Sequence, residues 1–458
     1  MLRFEGAEWF RYRLLYATLS GKAIRIDGIR ASSERPGLRD YEASFLRLLE
    51  KVANGCAVEI NQTGTSLRYR PGFVVGGNVE HDCGTARGVT WFAEPLLLLS
   101  LFARRPILAT LSGVTSGGID PGTDVFRSVT LPLVRSAAGL EASALEARVP
   151  RRGSAPRGGG TLTLKTTPVA SLPVLTWTDE GMVKRIRGVA FATKVSPQTT
   201  NRMVDGARGV LNDLLPDVFI FTDHVSGAGC GPSPAYGITL VAETTSSRLL
   251  GCEYCSADDG DVKRIVAQVA KAFGGEGEEQ GASGDEEKKE KETSSEEESD
   301  EDESEENDPF MEDEEASTSS SDDEIPSKST ASLNGRSAPA ATSAPAPARG
   351  GRRDVFVDSQ TTPEDVGRAA ACAVLEEVAR GGVVDSTHQW LLLTLCALGP
   401  DQLSQVRTGP LSPAAVHALR HLREFFGVQF AMKLDRESGT VFSSCVGYGL
   451  KNLSKALK

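Results

Sequence analysis

The chain has 458 residues, of which 40% are hydrophobic, and these proportions predict one large domain together with a smaller one. Its formal net charge of −12 would by itself exclude a nucleic-acid partner, because phosphate backbones bind basic surfaces. However, residues 276–324 contain 25 acidic and 3 basic side chains, so that segment carries −22 and the rest of the chain carries +10. The part of the chain that we expect to fold is therefore basic.

The remaining composition predicts a soluble protein of a reducing, intracellular compartment. The 8 cysteines are scattered and lack the spacing of a disulfide scaffold. Charged residues interrupt the N-terminal apolar residues, so no signal peptide is predicted, and no apolar run is long enough for a membrane span.

One pattern occurs twice in the first third of the chain: a short apolar strand, a glycine, a turn and a Pro-Gly pair that opens a helix. Gly28 precedes Pro36 by the same spacing as Gly113 precedes Pro121. Apolar residues at helical spacing follow each pair, and a third helix is predicted from Pro413 to a stop at Gly427. We interpret these segments as tandem α+β units that bury their apolar faces against one another.

The pattern changes in the middle of the chain. Strand-like runs alternate with a helix predicted from Pro197 to Leu215 and another predicted from Asp261. An acidic, Ser-rich stretch and a Pro/Ala/Gly linker follow, and such a composition predicts disorder. We therefore divide the chain into four parts: the first repeats in residues 1–183, an inserted α/β subdomain in 184–274, a disordered loop in 275–353, and the last repeats in 354–458.

The acidic stretch also contains predicted phosphorylation sites. Carboxylates follow four serines at the positions that acidophilic kinases recognise, and phosphates there would add to the negative charge. These serines are Ser295, Ser299, Ser320 and Ser321.

The most specific motif is RGSAPRGGG at residues 152–160. It matches the R-G-x-x-P-x-G-G-G signature of RNA 3'-terminal phosphate cyclases, and the alternative interpretation is a basic hairpin turn. Consecutive glycines allow close approach of backbone or phosphate, and the flanking arginines add positive charge. Further segments resemble the cyclase-like branch of that family in the same order: GIRASSERPGLRDYEASFLRLL, NQTGTSLRYRPG, VEHDC, KRIRGVAFATKVSP, VDSTHQWLLL and LSPAAVHALRHLREFFGV.

The resemblance implies tandem repeats of two helices on a four-stranded sheet, with a smaller inserted domain. It also implies that two features of authentic cyclases are missing. Cyclases form a covalent histidine-AMP intermediate on a histidine at the start of the last repeat's helix, where this chain has PLSPAA at residues 410–415. Their N-terminal G-E-G-G-G-Q stretch is replaced by GAEWFR at residues 6–11, so we predict no cyclase activity and no cofactor.

The cyclase-like branch is associated with ribosome assembly. The resemblance implies a nucleolar factor required for pre-rRNA processing and maturation of the 18S rRNA of the small (40S) subunit. The implied partners are pre-rRNA, the small-subunit processome snoRNP and a ribosome-biogenesis GTPase, and we expect a monomer within that larger complex. No metal site is predicted, because Cys252 and Cys255 form an isolated C-x-x-C pair.

A basic helix face supports an alternative function, cleavage of pre-rRNA on the same scaffold. The resemblance relates Arg420, His421 and Arg423 to a segment proposed in this branch to cut pre-rRNA. With an exposed polar side, His421 would act as the base and the arginines would stabilise the phosphate. The opposing interpretation is an ordinary solvated helix face.

Basic residues from several segments are candidates for one phosphate-binding pocket, which would hold RNA or an acidic loop of a partner. They are Arg30, Arg35, Arg39, Arg68, Arg70, Arg151, Arg152, Arg157, Lys184, Arg185 and Arg187.

Overall fold

The computed structural model describes residues 1–117, 119–256, 361–452 and 454–455. The predicted disordered loop, the four candidate phosphoserines and the helix predicted from Asp261 lie outside the described residues. Within the described part, the strands form four four-stranded sheets and one two-stranded ladder, with helices between them. The predicted mixture of α and β structure is confirmed.

The first sheet has the order β1-β2-β5-β4, with β1 parallel to β2 and the other neighbours antiparallel. Its region of the chain contains β1 (Leu2–Glu5), α1 (Phe10–Ser20), β2 (Ile24–Asp27), α2 (Asp40–Val52), β3 (Ala53–Asn54), β4 (Ala57–Ile60), β5 (Leu67–Arg70) and β6 (Phe73–Val74). Strands β3 and β6 form the two-stranded ladder. Ile24, Ile26, Leu67 and Tyr69 are fully buried. Because side chains alternate along a strand, the charged residues between them lie on the opposite, outer face.

The second sheet has the order β7-β8-β10-β9, again with only the first pair parallel. Its elements are β7 (Gly77–Asp82), α3 (Val89–Leu101), β8 (Ile107–Gly113), α4 (Thr123–Val125), a π-helical turn (Phe126–Thr130), α5 (Leu131–Ala137), β9 (Leu145–Arg151) and β10 (Gly160–Thr166). The wide π turn comes directly before the first turn of α5, where Pro132 has no backbone N–H to donate.

The chain then forms β11 (Thr176–Trp177) and a fourth sheet with the order β13-β12-β14-β15. The elements of this part are β12 (Val183–Thr193), α6 (Gln198–Leu211), β13 (Val218–Val225), β14 (Ala235–Thr244), β15 (Leu249–Cys255) and α7 (Pro363–Arg380). Helix α6 is shorter than predicted, because the sequence NDLLP at residues 212–216 favours a turn. Helix α7 begins after a Thr362 cap, which forms a capping box with Asp365.

Helices α6 and α7 cover the inner face of this fourth sheet. Their buried residues share a hydrophobic cluster with those of β12, β14 and β15, separate from the main core. A methyl group added at Gly206 would lie 2.4 Å from the carbonyl oxygen of Glu364, and one at Gly367 would lie 2.0 Å from that of Met203. The helix after the acidic loop therefore packs against the sheet of the predicted insert, while the domain boundaries themselves stay a prediction.

Tyr236 on β14 holds both described ends of the long loop. Its hydroxyl donates to the carbonyl oxygen of Thr361 (3.5 Å), and its own carbonyl oxygen accepts from the N–H of Ser256 (2.8 Å). The chain thus leaves the fourth sheet and returns to it at the same place.

The last part of the chain completes a third sheet with the order β11-β16-β18-β17. Its further elements are α8 (Gln389–Leu398), β16 (Leu403–Thr408), α9 (Pro413–Phe426), β17 (Phe430–Leu434) and β18 (Val441–Val446). Helix α9 is confirmed with its predicted ends: the Ser412 side chain accepts from the N–H of Ala415, and Gly427 is left-handed with φ 74°.

The first three sheets share one connectivity. In each, the first strand is parallel to the second, the second pairs antiparallel with the third, and the third pairs antiparallel with the fourth. Buried residues from all three sheets and their helices form a single hydrophobic cluster. The interpretation of these sheets as tandem repeats stays a prediction.

Helices α3 and α8 are apolar on all sides, a pattern typical of burial at the centre of a core. They have 13 and 10 residues, and all of these residues are buried. No helix in the described part of the chain is both long enough and apolar enough to cross a membrane.

A buried polar group connects the fourth sheet to the main core. The Asp385 carboxylate accepts from the N–H of Gly251 on β15 (3.0 Å) and contacts Nδ1 of His388 at 2.7 Å. His388 Nε2 lies 2.8 Å from the Thr130 hydroxyl in the π-helical turn. Burial lowers the pKa of His388, but the nearby Asp385 outweighs it, so the pKa is raised overall.

The close contact between α6 and α7 predicts opposite effects for two glycines of the same helix. Gly206→Ala inserts a methyl group against the backbone of α7 and should lower the free energy of unfolding by about 1–3 kcal/mol. Gly209→Ala meets no atom within 4 Å and should raise it by about 0.5–1 kcal/mol, since alanine favours helix. Urea denaturation of both variants measures the difference, and equal effects would contradict this packing.

Candidate functional site

The signature arginine Arg152 is buried, with 4% of its surface exposed. Its guanidinium donates to the carboxylates of Asp124 (2.6 Å) and Asp223 (2.8 Å), and it lies over the Phe191 ring at 4.9 Å. Asp124 begins the helical segment of the second sheet's unit, and Asp223 lies on β13. Arg152 is therefore a link between two parts of the fold, and both carboxylates neutralise it.

The glycines of the signature pack against protein backbone. A methyl group at Gly153 would lie 2.0 Å from the nitrogen of Gly160, and one at Gly158 would lie 3.0 Å from Gly113. The N–H of Thr115 donates to the carbonyl oxygen of Gly153 (2.6 Å). These contacts account for the glycines as a close junction of three backbone segments, in line with the hairpin interpretation.

A cavity of about 640 Å³ opens where the carboxyl ends of β1 and β2 meet helices α2, α3 and α9. We call it the cleft. The turn after β1 contributes Trp9, the first turn of α1 contributes Arg11, and the turn after β2 contributes Arg30. The polar and aromatic residues that line it are Glu8, Trp9, Phe10, Arg11, Tyr12, Arg30, Tyr41, Glu42, Arg87, Trp91, Asp120 and His417.

Each arginine of the cleft holds a carboxylate. Arg30 contacts Glu42 at 2.7 Å, Arg11 contacts Glu94 at 2.9 Å, and Arg87 pairs with both oxygens of Asp120. Burial lowers the pKa of Arg11, but Tyr12, Glu94 and Asp120 together raise it by more than burial lowers it. The pKa is therefore raised overall, and the guanidinium stays charged. The positive charge of the cleft is therefore largely neutralised by its own walls.

Aromatic rings and guanidinium planes make up most of these walls. Arg11 lies 4.8 Å from the Tyr12 centroid and 5.5 Å from that of Trp91. Arg87 lies 5.3 Å from the Trp91 centroid and 5.6 Å from that of Tyr41. Unstacked nucleobases bind to aromatic rings and arginine planes of this kind.

Trp9 lies where the family's glycine-rich stretch would be. Its backbone is left-handed with φ 56°, which is unfavourable for a bulky residue, and its ring stacks on His417 at 4.4 Å. Trp9 also lines a second cavity of about 380 Å³ beside Ser412, Pro413 and Ala414. The position of the family's histidine thus borders a cavity whose described lining includes no histidine.

Of the predicted phosphate-binding residues, only Arg30 lines the cleft. The others do not line it, and a single basic pocket that gathers all of them stays a prediction. Arg152 is buried as described; Arg68 pairs with Glu59, Lys184 and Arg185 pair with Glu243, and Arg187 pairs with Asp217. Arg39 donates to the carbonyl oxygen of Arg35, and Arg151 donates to that of Cys230. Arg70 and Arg157 are exposed.

The prediction that His421 is exposed is wrong. Its side chain is only 5% exposed, among the rings of Phe4, Tyr16 and Phe425. The buried face of α9 is rotated toward Ala418 and His421, which the apolar pattern alone had not indicated. Burial, with Arg13, His417 and Arg420 nearby, lowers the pKa of His421 to about 4. Arg420 and Arg423 are exposed as predicted, but they do not share a surface with an accessible imidazole.

The sequence interpretation missed four residues that line the cleft, Arg11, Arg87, Trp91 and Asp120, and it missed Glu94, which pairs with Arg11. No motif connects them, because the partners Arg87 and Asp120 are 33 residues apart and Arg11 and Glu94 are 83 apart. The one available signal was GAEWFR, whose bulky residues had indicated only a blocked site.

Comparison with known proteins agrees with these features. A family profile described as RNA 3'-terminal phosphate cyclase matches residues 2–432. The chain therefore belongs to the RNA 3'-terminal phosphate cyclase family.

Full-length relatives define the similarity further. A probable RNA 3'-terminal phosphate cyclase-like protein of Arabidopsis thaliana is 39% identical over 458 residues, covering 100% of this chain and 99% of the relative. One of Dictyostelium discoideum is 37% identical over 457 residues, covering 100% of both. The rRNA processing protein rcl1 of Schizosaccharomyces pombe is 36% identical over 461 residues, covering 100% of this chain and 98% of the relative.

The buried His421 predicts a specific dependence of stability on pH. Between pH 6.5 and about 4 the unfolded chain binds a proton at this histidine and the folded chain does not. Its contribution to stability is therefore complete above pH 6.5 and is lost as the pH falls toward 4. His421→Phe keeps an aromatic ring there and should reduce the loss of unfolding free energy between pH 7 and 4.5 by about 2 kcal/mol.

Urea denaturation at the two pH values measures this effect. His224→Gln, at an exposed histidine, controls for the loss of any imidazole. Equal pH dependence of the unfolding free energy in His421→Phe and the wild type would contradict a lowered pKa of His421 in the folded chain.

Proposed function

We propose that this chain is a nucleolar ribosome-biogenesis factor that binds RNA and protein during pre-rRNA processing and 18S rRNA maturation of the small (40S) subunit. It acts as a cyclase-fold protein without cyclase activity. The name of the fission-yeast relative, an rRNA processing protein, supports the process. The proposed partners are pre-rRNA, the small-subunit processome snoRNP and a ribosome-biogenesis GTPase, and we expect a monomer within that complex.

One observation carries this proposal: the stack of Trp9 on His417 at the mouth of the cleft. Trp9 fills the place of the family's flexible glycines, and residues 412–415 offer no imidazole for a covalent nucleotide. The same change adds an aromatic surface next to the arginine planes. Nucleotide chemistry is thereby replaced with a surface on which bases can stack.

The shared connectivity of the first three sheets supports a related proposal, that they are tandem copies of one unit. The third unit contains the third sheet, and the fourth sheet is inserted in the sequence between its first strand, β11, and its first helix, α8. The acidic loop would then be an insertion within an insertion.

We do not propose RNA cleavage as a second function of this chain. A general base must reach the 2'-hydroxyl proton, and a histidine among three aromatic rings cannot do so without local unfolding. Arg420 and Arg423 remain suitable for binding phosphate.

We expect the purified chain to carry out neither reaction. Incubation with ATP labelled at the α-phosphate, magnesium and a pre-rRNA fragment containing its processing sites should yield no labelled protein and no site-specific fragments. An authentic cyclase serves as the positive control for labelling. A stable adenylyl adduct would contradict the loss of cyclase chemistry. Site-specific cutting that is absent in a folded Arg420→Ala/Arg423→Ala variant would establish the endonuclease instead.

Base stacking in the cleft predicts that Trp9→Ala weakens RNA binding. The loss of one stacked base costs about 1–3 kcal/mol, which corresponds to about 5- to 150-fold in affinity. Fluorescence anisotropy with a labelled single-stranded pre-rRNA fragment measures the change. Trp177→Ala is the matched control, because this half-buried tryptophan lies on β11 and does not line the cleft. Equal affinities for both variants would argue against stacking on Trp9.

A further inference from the structure

The outer face of the first sheet carries three arginines in one row. The strand register places Arg3 opposite Arg25, and Arg25 opposite Arg68. All three side chains are exposed, since they alternate with the buried residues of the same strands. Arg70 lies two residues beyond Arg68 on the same face. We call these four residues the arginine row.

Such a row costs stability. Directly opposed residues on neighbouring strands have Cβ atoms about 5 Å apart, and like charges at that distance repel. Adjacent strands are about 4.8 Å apart, so the three opposed guanidinium groups extend from a line about 10 Å long.

Three carboxylates share this outer face and offset the row only in part: Glu59 lies opposite Arg68, and Glu5 lies opposite Asp27. Arg25 contacts Asp27 at 2.8 Å and Arg68 contacts Glu59 at 3.3 Å, and all four side chains are more than 40% exposed. Exposed pairs of this kind contribute little and exchange readily. Arg3 and Arg70 form no ion pair with any residue that the structure describes. This arrangement contrasts with the cleft, where the arginines are held by largely buried carboxylates.

We propose that the arginine row binds the sugar–phosphate backbone of an extended RNA strand, an inference that rests on the proposed RNA-binding function. Guanidinium groups bind phosphate oxygens in bidentate fashion, and a flat line of them matches a linear polyanion. The row has no aromatic side chain on which a base can stack, so it binds phosphates without reading sequence.

The position of the row relates it to the cleft. Strand β1, which carries Arg3, ends at Glu5, and four residues later the chain reaches Trp9. An RNA strand bound across the outer face would thus leave it close to the aromatic walls. The row would supply electrostatic affinity that the neutralised cleft lacks, and the cleft would supply base contacts that the row lacks.

The test compares two variants with the same change in charge. The row variant is Arg3→Gln/Arg25→Gln/Arg68→Gln, and the control variant is Arg148→Gln/Arg202→Gln/Arg436→Gln, at exposed arginines on other elements. Affinity for two single-stranded RNAs of different sequence is measured by fluorescence anisotropy over a series of KCl concentrations. Each phosphate contact with a single strand contributes about 0.7 to the salt slope, so three lost contacts should lower it by about 2.

We expect the row variant to bind both RNAs about tenfold more weakly or worse at low salt, and the control variant to bind within about twofold of the wild type. The row variant should melt at the same temperature or higher, because like-charge repulsion is relieved. If it melts lower, Arg3→Gln alone, which breaks no ion pair described here, replaces it and should lower the slope by about 0.7.

The remaining outcomes each overturn a different statement. Wild-type affinity and slope in the row variant would refute the arginine row and leave the proposed function intact. Equal losses in both variants would refute it in favour of a general charge effect. A wild-type chain that binds neither RNA would refute the RNA-binding function and the row together.

Discussion

The ion pair of Arg152 with Asp124 and Asp223 fixes the geometry on which the other features depend. Replacing such a buried group by apolar residues is often neutral, but removal of one partner leaves a buried charge that the interior cannot solvate. The ion pair therefore serves to fix the positions of the segments that carry Asp124, Arg152 and Asp223. Asp124 opens the helix that follows Pro121, and Asp120 comes just before that proline and holds Arg87 in the cleft. A shift of Arg152 would pass directly to the aromatic walls.

Charge is distributed unequally over the folded part of the chain. Inside the cleft, each guanidinium is paired with a carboxylate, and those of Arg11 and Arg87 also lie close to aromatic rings. The cleft therefore offers surfaces for planar groups and little net charge. The excess of positive charge lies on solvent-facing surfaces such as the first sheet. This separation explains how the folded part can be basic while the cleft is almost neutral.

Sequence patterns predicted the elements well where the signal was local. Helix α9 has its cap at Ser412 and its stop at Gly427, and α7 has its Thr362 cap, because capping depends on residues within one turn. The apolar pattern predicted less well how a helix is rotated about its own axis. It therefore placed His421 on the exposed side of α9, whereas the side chain is buried. A helix period fixes which residues share a face, but the packing partner decides how far that face extends.

The candidate site was harder to predict because its contacts are long-range. Arg152 is a signature residue, and its type and spacing gave no indication that it would meet Asp223, 71 residues later. The sequence alone does not distinguish an arginine that binds a phosphate from one that pairs with a carboxylate of the same chain. The two differ only in which partner lies within reach, and that depends on the completed fold.

Tyr236 gives the long loop a property that does not depend on the loop's own residues. Because one tyrosine contacts the chain on both sides, at Ser256 and Thr361, the two ends stay together whatever lies between them. The entropy of closing a loop grows only with the logarithm of its length, so a doubling costs about 0.6 kcal/mol. A change in the length or the charge of the sequence between these two residues would therefore cost the fold little.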